Sequence, residues 1–316
     1  MARFVPLIRN PHLQTMLGHY WRRPGYDPRF PIEQRLYRTE PGVRVLVESQ
    51  RPEGQVRGEI VTVHGLEGSA RAVYIQSLSC AALSAGFAVH RYNMRTCGGT
   101  EHLCQTLYHG GLTSDLLVVL RELRNERRGP IFLVGFSLGG NVVVKLAGEL
   151  GDSGPEMLAG VCAVSAPLDL AACSRRMEAV DNRIYQFRFV RRMRRRLSAT
   201  GRYDRRTFEG LSTVQDIDDR ITAPSFGFGN SVNYYQTQSA LRYLDGLRVP
   251  VLLIYSKDDT LVPSGTFDVP AIRDNSYIER LPTEHGGHLG FLGRRPHRFW
   301  LDTAIMEWVT ARNRQS

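Results

Sequence analysis

Ile131-Phe132-Leu133-Val134, Gly135-Phe136-Ser137-Leu138-Gly139 is the stretch whose reading decides the fold. The first four residues read as a buried strand, and Leu138 to Leu150 as a helix that is apolar nearly all round. Between them lies G-x-S-x-G. That pattern is common by chance, but a strand directly before it and a long helix directly after are the setting it requires. So tight a strand-to-helix turn forces the central residue into a strained backbone. The residues two positions away must then lack bulk, which gives both glycines a steric reason. Ser137 Oγ is expected to stand at the carboxyl end of a sheet, with the positive end of a helix dipole behind it. The competing reading is a glycine-rich turn whose serine only caps the helix.

Outward from this turn, short β-like runs alternate with helical runs, the pattern of a mostly parallel sheet with helices on both faces. Strands are expected at Arg44 to Gln50, Glu59 to His64, Phe87 to Tyr92, Gly160 to Val164, Pro250 to Tyr255 and Tyr277 to Leu281. A helix starts near Ser114-Asp115 and stops at Gly129-Pro130, and a closing helix runs from about His297 to Arg312. Between Pro167 and about Leu247 no buried strand is convincing. Tyr185, Phe189, Met193 and Leu197 recur there at i+4 and make one apolar stripe. The expected organisation is a core over 1–166, with an N-terminal extension over 1–34, a helical cap insertion over 167–247, and the rest of the core over 248–316.

A hydroxyl is a poor nucleophile at neutral pH, so a base must take its proton and a carboxylate must orient that base. Behind a G-x-S-x-G turn the expected chain order is serine, acid, histidine. After the strand ending at Tyr255 come Asp258 and Asp259; after the strand ending at Leu281 come His285, Gly286, Gly287 and His288. Both pairs sit at strand carboxyl ends. Asp259, four residues before Pro263, is favoured as the acid, with Asp258 as a loop-capping carboxylate. His288, behind two glycines that let its loop swing over the sheet, is favoured over His285. A tetrahedral intermediate also needs two N–H donors. Leu138 N–H follows the serine, and Leu66 N–H follows His64-Gly65 at the end of an earlier strand. His64 itself is read as a supporting hydrogen-bond partner.

Composition bounds the rest. Hydrophobic residues make up 42% and charged residues 23% of 316, as in a globular protein with a sizeable core. No apolar run approaches the ~20 residues a membrane span needs. Arg9 and Asn10 come too early for a signal peptide. Five cysteines without a C-x-x-C pair fit free thiols in a reducing, cytoplasmic compartment. Cys97, His102 and Cys104 match no zinc spacing, and neither a metal nor an organic cofactor is expected. Forty-one basic against 31 acidic residues leave a net charge of +10. The Arg188–Arg206 cluster accompanies no nucleic-acid module, so no nucleic-acid partner is expected. It reads first as the solvated outer face of a cap helix, with contact to anionic lipid or to a carboxylate-bearing substrate as the second reading.

Several motifs together resemble one family. His64-Gly65-Leu66-Glu67-Gly68-Ser69, Asn93-Met94-Arg95, Cys97-Gly98-Gly99, Tyr108-His109-Gly110-Gly111 and the serine turn are similar to those of the YheT-like α/β-hydrolases, also called the α/β-hydrolase 4 family. So are Asn10-Pro11-His12-Leu13-Gln14-Thr15, Asp218-Asp219 through Thr222-Ala223-Pro224, Gly227-Phe228 and Tyr234-Tyr235. Thr96 departs from the pattern, since many members have glycine there. The resemblance implies the α/β-hydrolase fold, a cap over the site, and esterase or lipase-type activity on small acyl or lipid-like esters. The expected reaction is acyl transfer through Ser137, His288 and Asp259, with Leu66 and Leu138 holding the oxyanion. An acyltransferase or thioesterase would use the same residues, and a receptor-like protein with little turnover is the alternative of another class.

Overall fold

The computed structural model describes residues 2–25, 27–126 and 129–314. Eight strands, β1 (Glu33–Glu40), β2 (Val43–Gln50), β3 (Glu59–Val63), β4 (Ala88–Tyr92), β5 (Ile131–Phe136), β6 (Gly160–Val164), β7 (Val251–Ser256) and β8 (Ile278–Thr283), form one sheet. Their order is β1-β2-β4-β3-β5-β6-β7-β8. β2 pairs antiparallel with both β1 and β4, and every other neighbouring pair is parallel. The longer helices are α1 (Pro11–Tyr20), α2 (Val73–Ser84), α3 (Ser114–Asn125), α4 (Leu138–Leu150), α5 (Leu170–Met177), α6 (Arg183–Ala199), α7 (Ser231–Gln238) and α8 (Trp300–Asn313).

β3 to β7 are buried along their whole length, as strands covered on both faces must be. Alternate side chains serve opposite faces. Phe132, Val134, Leu252 and Ile254 pack with Leu78 of α2 and Trp300 and Ile305 of α8. Leu133, Val161, Val251 and Leu253 pack with Leu116 and Leu120 of α3 and Val143 and Leu146 of α4. Between β6 and β7 the described residues hold helices and no strand. There Val190, Met193 and Leu197 of α6 meet Phe208, Leu211, Val214 and Ile217 in an apolar cluster of their own.

Two elements exceed what the hydrophobic pattern predicts. β1 is an edge strand whose polar side chains are mostly exposed, so it carries little apolar signal. α1 is set by its start, where the Asn10 side chain accepts the Leu13 N–H at 3.0 Å and Pro11 occupies the first turn. No described helix is long and apolar enough to cross a membrane.

A buried ion pair ties the loop after β4 to α3. Arg95 is 2% exposed and donates to both oxygens of Asp115, at 2.5 and 2.7 Å, and to Glu40 at 2.6 Å. Removing one member strands the other charge. Arg95→Met is therefore expected to cost about 3–5 kcal/mol of unfolding free energy. The double variant Arg95→Met/Asp115→Leu should recover much of it. Denaturant titration of the three proteins checks this.

Candidate active site

β5 ends and α4 begins around a single strained residue. Ser137 has φ 50° and ψ −124°, a conformation that costs an L-residue about 1–3 kcal/mol. It is held by Ser137 N–H donating to Val164 O at 2.8 Å and by Gly140 N–H donating to Ser137 O at 2.7 Å. The flanking glycines are required sterically. A Cβ on Gly135 would lie 2.3 Å from Gly139 O, and one on Gly139 would lie 2.4 Å from Val63 O.

The loop after β8 brings His288 over this turn. His288 Nε2 lies 2.9 Å from Ser137 Oγ, and its Nδ1 lies 3.1 Å from each carboxylate oxygen of Asp259. A carboxylate at Nδ1 places the ring proton there and leaves Nε2 to accept from the serine hydroxyl. Asp259 is oriented in turn by the N–H groups of Leu261 and Val262, at 2.9 and 3.0 Å. The neighbouring pair goes elsewhere. Asp258 faces His285 Nδ1 at 3.1 Å and accepts the Gly287 N–H at 2.9 Å, so it braces the histidine loop without reaching Ser137.

The N-terminal motif braces the same loop. Thr15 Oγ1 accepts the His288 N–H at 2.8 Å. The fully buried Gln14 side chain donates to Ile8 O and Leu292 O and accepts the Leu292 N–H at 2.9 Å. These contacts give Gln14 and Thr15 a role that their sequence context did not reveal.

Opposite the histidine, Gly65 brings the loop after β3 against the serine: a Cβ there would meet Ser137 Cβ at 3.0 Å. Among the described residues neither Leu66 N–H nor Leu138 N–H donates to a protein acceptor, and both residues border the cavity at Ser137. His64 fastens this loop. Its Nδ1 donates to Gly65 O at 2.8 Å and its Nε2 accepts the Met94 N–H at 3.1 Å. Burial pushes its pKa down to about 4.

The next residue, Glu67, has φ 54° and is buried. Arg196 of α6 donates to both its oxygens, at 2.9 and 3.1 Å, while Tyr108 accepts the Glu67 N–H and donates to its carboxylate, each at 3.1 Å. Arg196 is thus 8% exposed and departs from the solvated face expected of its cluster, although Arg191, Arg192 and Arg195 are exposed. It also donates to Thr96 Oγ1 at 2.8 Å. Thr96 takes φ 60°, a backbone that favours glycine, and its hydroxyl is used by the arginine. Neither residue of the Glu67–Arg196 pair had a sequence signal beyond the motif around Glu67.

Two cavities meet at Ser137 and His288. One, of about 90 Å³, is walled largely by apolar side chains including Leu138, Leu170, Met177, Met193, Val214 and Val262. Asp218, also on this wall, accepts from Tyr235 Oη at 2.8 Å, and burial raises its pKa to about 6. His109, packed edge-on against Phe226, Phe228 and Tyr234, is lowered to about 3 by burial. The other cavity, of about 290 Å³, opens between α1, the loop after β3 and α6.

The His64 environment has a pH signature. Its folded-state pKa lies below the ordinary 6.5, so the stability from its neutral ring is present above pH 6.5 and is lost as pH falls toward 4. The unfolding free-energy gap between the wild type and His64→Asn should therefore shrink on acidification, by roughly 1.4 kcal/mol per pH unit across that window. Asp218 is common to both proteins and cancels in the difference. Denaturation series at pH 4.5 to 7.5 measure the slope.

Comparison with known proteins agrees with this architecture. Residues 60–300 match the alpha/beta hydrolase family. YheT of Escherichia coli (strain K12), a suspected esterase by name, is 33% identical across 98% of this chain and 93% of its own. A monoacylglycerol lipase of Saccharomyces cerevisiae is 27% identical across 76% of this chain and 56% of its own. The Pyrococcus furiosus esterase Pf2001 shares the fold, with a TM-score of 0.61 at 16% identity over 98% of this chain and 99% of that one. The chain belongs to the alpha/beta hydrolase family, within its YheT-like branch.

Proposed function

We propose that this protein is a carboxylic ester hydrolase that works through an acyl-enzyme. The carrying observation is the contact chain Ser137 Oγ–His288 Nε2 at 2.9 Å and His288 Nδ1–Asp259 at 3.1 Å. In the proposed reaction His288 takes the Ser137 proton as Oγ attacks the ester carbonyl. Asp259 stabilises the imidazolium that forms, and the Leu66 and Leu138 amides receive the developing oxyanion. The imidazolium then protonates the leaving alcohol. Water then attacks the acyl carbon as it gives a proton to His288, and His288 returns that proton to Ser137 Oγ as the acyl carbon–Oγ bond breaks and the acid departs. No step calls on a metal or an organic cofactor.

Residues 167–247 act in this reading as a cap, which closes the apolar cavity over Ser137 with Leu170, Met177, Met193 and Val214. That cavity suits the acyl chain, because burying apolar area there drives binding. Support for esters as the substrate class also comes from the relatives, a suspected esterase and a monoacylglycerol lipase by name.

A panel of acyl esters from short to long chain tests the proposal, run beside a fluorophosphonate label. Ser137→Ala and His288→Ala should each lower kcat by at least about 10³-fold, and Asp259→Asn by about 10³–10⁴-fold. The label should map to Ser137 by mass spectrometry. Activity that survives Ser137→Ala, or a label on another serine, contradicts the reading. Asp258→Asn should leave the label rate far less affected than Asp259→Asn, since Asp258 contacts Ser256, His285 and Gly287 rather than the His288 ring.

A further inference from the structure

The two cavities that meet at Ser137 differ in charge, and that difference names the alcohol half of the substrate. Resting on the hydrolase reading above, we propose that the enzyme's esters carry an anionic group, a phosphate or a carboxylate, on their leaving alcohol, held by Arg188 and Arg192 of α6 in the open cavity.

Ser137, His288, Leu66, Phe189 and Leu261 line both cavities, so an ester carbonyl at Ser137 sends one substituent into each. Among the described residues, the apolar cavity has no free guanidinium or ammonium to offer. Its arginine, Arg196, is already committed to Glu67. The open cavity is lined by Arg71, Arg188, Arg192 and His19, and none of the described residues lining it is acidic. Arg71 is partly neutralised by Glu48 at 3.2 Å. Among the described residues, Arg188 and Arg192 have no carboxylate partner; Arg188 lies over the Tyr20 ring, 5.3 Å from its centre.

The pKa of His19 is lowered by burial and then by Arg188, Arg192 and Arg23, the response of a basic group among cations. Two unpaired guanidiniums one helical turn apart, i and i+4, are placed to grip a single anion, and each charge-assisted bond to it adds affinity. A low-dielectric wall on one side concentrates their field on the bound group.

The anion itself is a spectator. The acyl carbon–alcohol oxygen bond breaks as the Ser137 Oγ–acyl carbon bond forms. The proton that His288 took from Ser137 goes to the departing alcohol oxygen, and the anionic group leaves with that alcohol unchanged.

The test compares two water-soluble esters that share one acyl group, 1-butanoylglycerol 3-phosphate and 1-butanoylglycerol. Both are monomeric, so no lipid surface takes part. The wild type should show a kcat/KM about tenfold or more higher on the phosphate ester, falling as salt is raised. Arg188→Ala/Arg192→Ala should cut the ratio of the two kcat/KM values about tenfold or more, while Arg192→Lys keeps most of it. Glycerol 3-phosphate should compete with the substrate where glycerol does not. Equal kcat/KM on the two esters, or a ratio that the double variant leaves unaltered, overturns the proposal. So does a preference that arises only for long-chain esters in anionic phosphatidylglycerol vesicles, because the arginines would then serve a membrane surface. Failure of the hydrolase reading looks different: neither ester is cleaved and the fluorophosphonate does not label Ser137.

Discussion

Everything at the site is arranged around one unfavourable backbone conformation. Ser137 sits at φ 50° because β5 must reverse into α4 within a single residue. A wider turn would carry the hydroxyl off the sheet's edge and point the first amides of α4 away from it. The strain is sustained by close contacts: Gly135 against the backbone of Gly139, Gly139 against the carbonyls of Val63 and His64, and Gly140 against Ala166. Val63 ends β3 and Ala166 lies two residues past β6, so the turn is locked by the middle of the parallel sheet.

Three peripheral supports converge on the same point. α1 holds the histidine loop through Thr15 and Gln14. Asp258 holds it from the other side. α6 reaches the loop that carries Leu66 through the buried Arg196–Glu67 pair. The last of these joins the helical segment to the site by a contact that excludes solvent, so displacing α6 would leave Glu67 charged and unpaired at considerable cost. In the proposed reaction this pair joins the cap to the loop whose Leu66 amide receives the oxyanion.

Much of this could be read along the chain, and the limits have physical causes. β5 and α4 announce themselves because a fully buried strand and a fully buried helix are continuous apolar runs, and the turn between them admits only small residues. His288 and Asp259 could be singled out by their place after strands; His288 lies within hydrogen-bonding distance of both Asp259 and Ser137. β1 and α1 were illegible because their stability comes from edge pairing and capping rather than from apolar periodicity. The Glu67–Arg196 pair was illegible for another reason. A buried arginine and an exposed one look alike in sequence, and only the fold, bringing together residues 129 apart, tells them apart. Thr96 shows the reverse. The sequence flagged it as a departure, and a left-handed φ with its hydroxyl bound to Arg196 accounts for it.

The proposed reaction requires a tetrahedral oxyanion to sit above Ser137 between the Leu66 and Leu138 amides. A crystal structure of the enzyme covalently modified by an alkyl phosphonate measures this directly. The predicted result is a bond from Ser137 Oγ to phosphorus, with the phosphoryl oxygen about 2.7–3.1 Å from both the Leu66 and Leu138 nitrogens. A phosphoryl oxygen turned to solvent, away from both amides, or an adduct on another residue would contradict it.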